Sequence, residues 1–340
     1  MAHARISANL PPDIDPTKAP IAFGKRALPK LNEDLHSPEL LTQQRALMAL
    51  CDLVHDPHNV NQAIKIGLLA SLKTLLLHND STVRQKTTEI LYIMAMHSIG
   101  RQGLIENGVI PALTELLDDP VNICRKNTHQ IFEMMAKLPK GAADILHAGL
   151  IPLLVCKLKT ELDEIQELIL DTLSSCLCVE VSEALATDAI TILKEKLTHS
   201  SAAIKSKAAR VLLEIGTHPE GKAVVCEDII PVLVSLLEDT DPEVQASATG
   251  ALMFATIRPQ GRFSALGAEA IPPLLKLVAE ETSKSRLSAI KTLTMLAEVP
   301  EGRRTLLHHT DTFQQCLNDP SEAVKRAAKI AIAVIKWKPC

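Results

Sequence analysis

Ile229-Ile-Pro-Val-Leu-Val-Ser-Leu-Leu-Glu-Asp-Thr-Asp-Pro-Glu-Val-Gln-Ala-Ser-Ala248 holds two helices and the hinge between them. Pro231 stands at the start of the apolar run, where a missing N–H costs nothing because first-turn donors have no partner inside the helix. The run stops at Leu237 against an acidic loop. Asp241-Pro242 then offers an N-cap acceptor and a preset φ for a second helix. In that helix Val244, Ala248, Ala251, Leu252 and Ala255 recur three and four apart, the spacing of one helical face.

The same punctuation recurs along the chain. Segments of the form x-ϕ-ϕ-Pro-x-Leu place their fourth residue at 29, 70, 111, 152, 191, 231 and 272, with Ala70 and Thr191 in place of Pro and Thr310-Asp-Thr-Phe313 a degenerate eighth. The steps are 41, 41, 41, 39, 40, 41 and 41 residues. A second mark, Pro-x-Gly, sits at Pro139, Pro219, Pro259 and Pro300, with Pro57 and Ser98-Ile-Gly100 as variants, and opens a short first helix. Asp119-Pro120 and Asp319-Pro320 read as caps like Asp241-Pro242. The glycines read as helix-end caps. Three helices in about 41 residues, repeated, is the signature of a helical solenoid. The expected fold is all-α: a right-handed armadillo/HEAT-type superhelical solenoid of about eight repeats over 25–340, its last repeat partial and capping. A Pro-rich extended arm, 1–24, precedes it.

The words Gly108-Val-Ile-Pro-Ala-Leu-Thr-Glu-Leu-Leu117 and Ile229 to Ala248 resemble the armadillo consensus, and the resemblance covers 25 to about 337. It implies a binding scaffold. In peptide-binding members of that family each third helix carries an Asn that holds an extended peptide, with a Trp one turn earlier. Here the Asn column reads Asp52, Ile93, Met134, Ser175, Glu214, Phe254, Met295 and Val334. The Trp column reads Met48, Glu89, Gln130, Asp171, Arg210, Gly250, Lys291 and Ile330. An amide donates to and accepts from a peptide backbone at once; Ile, Met and Phe cannot. A folded protein or a helix laid in a groove suits this face better. The polar rungs Asp52, Glu89, Gln130, Asp171, Ser175, Arg210, Glu214 and Lys291 are its candidate partner contacts, beside an ordinary reading as solvated or core positions.

Composition narrows the function classes. The chain is 46% hydrophobic but 2% aromatic, so its core is packed from aliphatics and Met. A net charge of −4 gives no basic field for nucleic acid or anionic lipid. No apolar run reaches the 18 residues or so of a membrane span, and the first residues carry no leader pattern, so an intracellular protein is expected. The eight cysteines show no C-x-x-C spacing and read as buried, reduced thiols. No phosphate loop, zinc-peptidase motif or nucleophile elbow occurs. His308-His309 with Cys316 is a poor metal set, since adjacent His project apart on a helix. Neither a catalytic residue nor a cofactor, metal, membrane or small-molecule substrate is expected.

Charge is uneven. From Glu161 to Ala189 there are acids and no Lys or Arg, with Glu161, Asp163, Glu164 and Glu167 in front. The stretch reads either as a docking surface for a basic partner or as a solvated face. The same repeat loses its Pro-x-Gly to Glu180-Val-Ser-Glu183. The last helix is basic, through Lys325, Arg326 and Lys329, and Trp337 either anchors a neighbour or covers the end. The arm carries Pro11, Pro12, Pro16 and Pro20, which favour polyproline II and read as a partner-binding segment, ordered alone or only on its partner. Leu10 to Pro20, followed by Ala22-Phe-Gly-Lys-Arg-Ala-Leu-Pro-Lys-Leu31, resembles the armadillo-type subunits of ciliary radial spokes. That resemblance implies a non-catalytic scaffold in the axoneme, with other radial spoke proteins as partners. The alternative is a soluble import- or catenin-like adaptor.

Overall fold

The computed structural model describes residues 24–224 and 228–337, and the arm with Pro11, Pro12, Pro16 and Pro20 lies outside them. Every regular element among the described residues is helical. The described residues form two compact units, divided between Leu150 and Ile151. In the first, third helices Leu40–Leu53, Ser81–Met96 and Asn122–Ala136 pack each on the next, braced by shorter first and second helices. In the second, the third helices are Asp163–Leu177, Ala202–Thr217, Pro242–Ala255, Ser283–Leu296 and Glu322–Ile335, again packed in sequence. The core is aliphatic: Leu50, Leu91, Met94 and Ile131 in one unit, Ile169, Leu212, Leu252 and Leu293 in the other, all with no exposed surface.

The last repeat has all three helices, Pro300–Leu307, Thr310–Gln315 and Glu322–Ile335, where a partial repeat is expected. Its degenerate second helix forms because Phe313, fully buried, supplies the apolar anchor that an aliphatic gives elsewhere. The broken Glu180-Val-Ser-Glu183 mark leaves a first helix of only four residues, Ser182–Leu185.

The Asp-Pro motifs divide. Asp241 caps as expected, its carboxylate accepting from the N–H groups of Glu243 at 2.8 Å and Val244 at 3.2 Å. Asp119 and Asp319 do not cap; the helices behind them start at Asn122 and Glu322. Each instead accepts the N–H two residues on and turns its carboxylate to an arginine of the preceding repeat. Arg84 Nε lies 2.6 Å from Asp119, and Arg286 Nε lies 2.7 Å from Asp319. Their second nitrogens reach the other carboxylate oxygen at 3.2 and 3.0 Å. Asp239 occupies the same place and pairs with Lys205.

A column of long polar side chains early in the third helices stitches these loops. Gln43, Arg84, Arg125, Gln245 and Arg286 each donate to the carbonyl oxygen six residues upstream, at 2.9, 2.9, 2.8, 2.7 and 2.8 Å. Gln166 does the same five residues upstream, at 2.6 Å.

These pairs give stability a pH dependence. The Arg286 hydrogen bond holds Asp319 below its ordinary 3.8, and Lys205 does the same for Asp239. Burial alone would raise Asp119, but the Arg84 hydrogen bond and the Val121 N–H outweigh it and the net shift is down. A depressed carboxyl contributes stability that is full above its unfolded value and is lost as pH falls through the folded one. The deficit of Asp319→Asn against the parent in urea melts should therefore be full at pH 6 and shrink below about pH 3.8. A deficit that is unchanged down to pH 2.5 would remove the charge from the explanation.

The Pro-x-Gly glycines are not caps. Each lies in the first turn of a first helix, where a Cβ would run into the carbonyl oxygen of the preceding third helix: Met94 for Gly100, Met135 for Gly141, Leu296 for Gly302. Gly67, Gly108 and Gly149 stand before the second helices with φ of 80°, 56° and 65°. Glu269 holds that place in the seventh repeat at φ 58°. A left-handed non-Gly residue costs about 1–2 kcal/mol, so Glu269→Gly should raise the stability by about 1 kcal/mol, read as a higher melting midpoint. A midpoint at or below the parent's would refute it.

Candidate protein-binding surfaces

The polar rungs do not form a row of free contacts. In the first unit Asp52 is exposed, Gln130 is half-buried, and Glu89 is tied to Lys86 at 2.8 Å. In the second, Asp171 accepts from Lys207 at 2.8 Å and Arg210 at 3.1 Å. Arg210 Nε also donates to Ser174 Oγ at 3.3 Å, and Ser175 donates to the Asp171 carbonyl oxygen at 3.1 Å. Burial pushes the half-buried Glu214 carboxyl up. Only Lys291 stands exposed without an acidic partner among the described residues of that unit's rungs.

The acidic stretch changes character in three dimensions. Glu161 is 8% exposed and Gln166 donates to its carbonyl oxygen. Glu167 lies 3.3 Å from Lys207, and the exposed Asp163 lies 3.7 Å from His199. Glu164 is exposed. The run holds no base because its bases sit one repeat later, on Ala202–Thr217, whose Lys207 and Arg210 face Asp163–Leu177. Much of this acid is spent on holding two repeats together.

The cysteines separate too. Cys51 and Cys176 are buried and their thiols are pushed up to about 12; Cys124 is buried and pushed up to about 11. Burial is the main cause in each, so none is a ready nucleophile. Cys156 and Cys178 are exposed, against the expectation of burial, and Cys226 and Cys340 lie outside the described residues. Among the described residues no group of His, Cys, Asp or Glu could hold a metal ion, and no single helix is long and apolar enough to cross a membrane.

Toward the C-terminus the third-helix face turns apolar. A groove of about 540 Å³ runs over Pro242–Ala255, Ser283–Leu296 and Glu322–Ile335. Phe254, Leu287, Met295 and Ile330 form its floor and wall, with Ile257 just past the first helix. Lys291 and Arg326 are its cations. Ile330 is 59% exposed and Ile257 37%. One turn farther along the last helix, Val334 and Trp337 line a second hollow with Arg303, whose guanidinium sits 4.7 Å over the indole ring. Column counting flags Phe254, Met295 and Ile330 only as missing Asn and Trp. It does not flag Arg326, which lies outside both columns.

Stacked three-helix units with aliphatic cores and exposed third-helix faces define a helical repeat solenoid, a scaffold type whose surfaces bind proteins. The family model for the adaptin N terminal region matches residues 27–257, and the chain belongs to that family. An engineered protein solved as a structural genomics target is 23% identical, with a TM-score of 0.83 over 91% of this chain and 78% of its own. A second engineered target, also 23% identical, has a TM-score of 0.61 over 66% of this chain and 95% of its own. At that identity the likeness is one of fold. The family and the neighbours agree with the armadillo-like reading at the level of a repeat solenoid, a fold that is typically non-catalytic.

Proposed function

We propose that the chain is a non-catalytic scaffold subunit of the ciliary radial spoke, similar to the radial spoke head protein 14 homolog, and binds neighbouring spoke proteins. The observation that carries this reading is the segment Leu10 to Leu31, whose wording resembles the start of such subunits. The third-helix face supports it: Phe254, Met295 and Ile330 replace the amides and rings that hold an extended peptide. A permanent structural partner fits such a face better than a transient strand. The place of action is then the axoneme of motile cilia. Immunolocalisation with proximity labelling in a motile ciliated cell tests it. Axonemal signal that survives detergent extraction, with spoke proteins labelled, is expected. A wholly soluble pool would refute the reading and favour a soluble adaptor. That second reading draws on the exposed apolar groove, which is of a size for a reversible ligand.

A further inference from the structure

We propose that the groove over Pro242–Ala255, Ser283–Leu296 and Glu322–Ile335 receives an amphipathic helix of a partner protein, its apolar stripe flanked by acids. This deepens the scaffold reading and rests on it.

Three observations converge on that occupant. The first is backbone accounting. An extended segment laid on Phe254, Met295 and Ile330 would leave its N–H and C=O groups facing hydrocarbon, and a buried group without a partner is costly. A helix arrives with its backbone bonds made internally and offers side chains only.

The second is charge. Acids of the 161–171 stretch meet Lys207 and Arg210 of the same unit. Asp319 meets Arg286, and Lys325 meets Glu322. Lys291 and Arg326, at the groove, have no acidic partner among the described residues. Two unpaired cations beside an apolar floor complement a ligand with carboxylates beside an apolar stripe.

The third is spacing. Packed helices lie about 8–10 Å apart, so three of them span roughly 20 Å. Seven residues of an α-helix rise about 10.5 Å. A ligand helix running across the groove therefore brings residues i and i+7 over successive scaffold helices. About 13 residues, close to four turns, cover all three. The ligand pattern is apolar at i, i+3 or i+4, i+7 and i+11, with Glu or Asp beside it.

The probe is a synthetic stapled helix of about 14 residues, with Leu at those positions and Glu at the flanks. It carries a fluorophore and is titrated with the full-length protein in anisotropy measurements. Three companions are a Lys-for-Glu version, a version with the Leu positions scrambled, and a Pro-interrupted version that cannot be helical. The acidic helix should bind at least tenfold tighter than any companion. Ile330→Glu changes an exposed side chain and leaves the fold intact by circular dichroism; it should weaken binding at least tenfold. Lys291→Glu with Arg326→Glu should reverse the preference toward the Lys version. Equal binding of the acidic and basic helices overturns the proposal, as does unchanged binding by the Ile330→Glu protein. Axonemal retention of Ile330→Glu in ciliated cells separates the two readings. Loss of peptide binding with retention intact removes only the groove's part in anchoring. Peptide binding intact in a protein that is never axonemal removes the spoke assignment and leaves the groove standing.

Discussion

Asp119→Ala should lower the stability of the first unit by about 3–5 kcal/mol, read as a lower midpoint in urea. Asp119 exposes 2% of its side chain and Arg84 13%. Deleting the carboxylate strips a largely shielded guanidinium of two of its four hydrogen bonds, leaving those to the His78 and Asn79 carbonyl oxygens, which is the costly way to break such a pair. The turn loses its Val121 N–H acceptor at the same stroke. Replacing both partners by apolar residues, Arg84→Met with Asp119→Leu, should recover most of the loss, because no charge is then stranded. Hydrogen exchange should place the opening in the Ser81–Met96 and Asn122–Ala136 helices first, since each repeat leans on its neighbours alone. A double variant no more stable than the single one would show that the turn, and not the stranded charge, sets the cost.

Gly100→Ala should be nearly as damaging, by about 3 kcal/mol, or on the order of 10 °C in melting temperature. In an ordinary helix the change is favourable by about 1 kcal/mol, so the expected sign is opposite to propensity. The reason is that the new Cβ meets the Met94 carbonyl, its carbon and its Cα, all backbone, so the first helix must lift off the third helix before it. Gly267→Ala is the control, because nothing lies within 4 Å of its Cβ position. It should be neutral or stabilising. Equal losses at the two positions would mean that close approach is not the reason for glycine in the Pro-x-Gly mark.

The repeat was legible because its punctuation answers to local backbone demands. Pro at a first-turn position needs no information from elsewhere, and five prolines in a register of eight define the stack. What the sequence hid depends on residues about 35 positions away. Asp119-Pro120 and Asp241-Pro242 look alike as words, yet only the second caps. The first is taken by Arg84, whose own significance appears only once two repeats are stacked. The acid-only stretch misleads in the same way: a window of 29 residues stops short of Lys207 and Arg210. One device was within reach. Gln43, Arg84, Arg125, Gln166, Lys205, Gln245 and Arg286 recur at steps of 39 to 41 residues, as regularly as the prolines. They pass unnoticed because Gln and Arg at the start of a helix look like ordinary surface. The candidate groove was half legible. Missing Asn and Trp argued against an extended peptide, but the apolar continuity of Phe254, Met295 and Ile330 required three helices side by side.

The clamps do not treat all junctions alike. Arg84–Asp119 ties the second repeat to the third, Lys205–Asp239 the fifth to the sixth, and Arg286–Asp319 the seventh to the eighth, all through shielded side chains. Between the sixth and seventh, the ion pair among the described residues is Lys276–Glu238, with side chains 72% and 59% exposed. Water and salt weaken such a pair to almost nothing. That junction of the second unit is therefore held by helix packing without a shielded ion pair, and the groove lies across it: Phe254 on one side, Met295 and Ile330 on the other. A ligand seated there would act as a splint, and the extension of the unit under load would report whether the seat is taken.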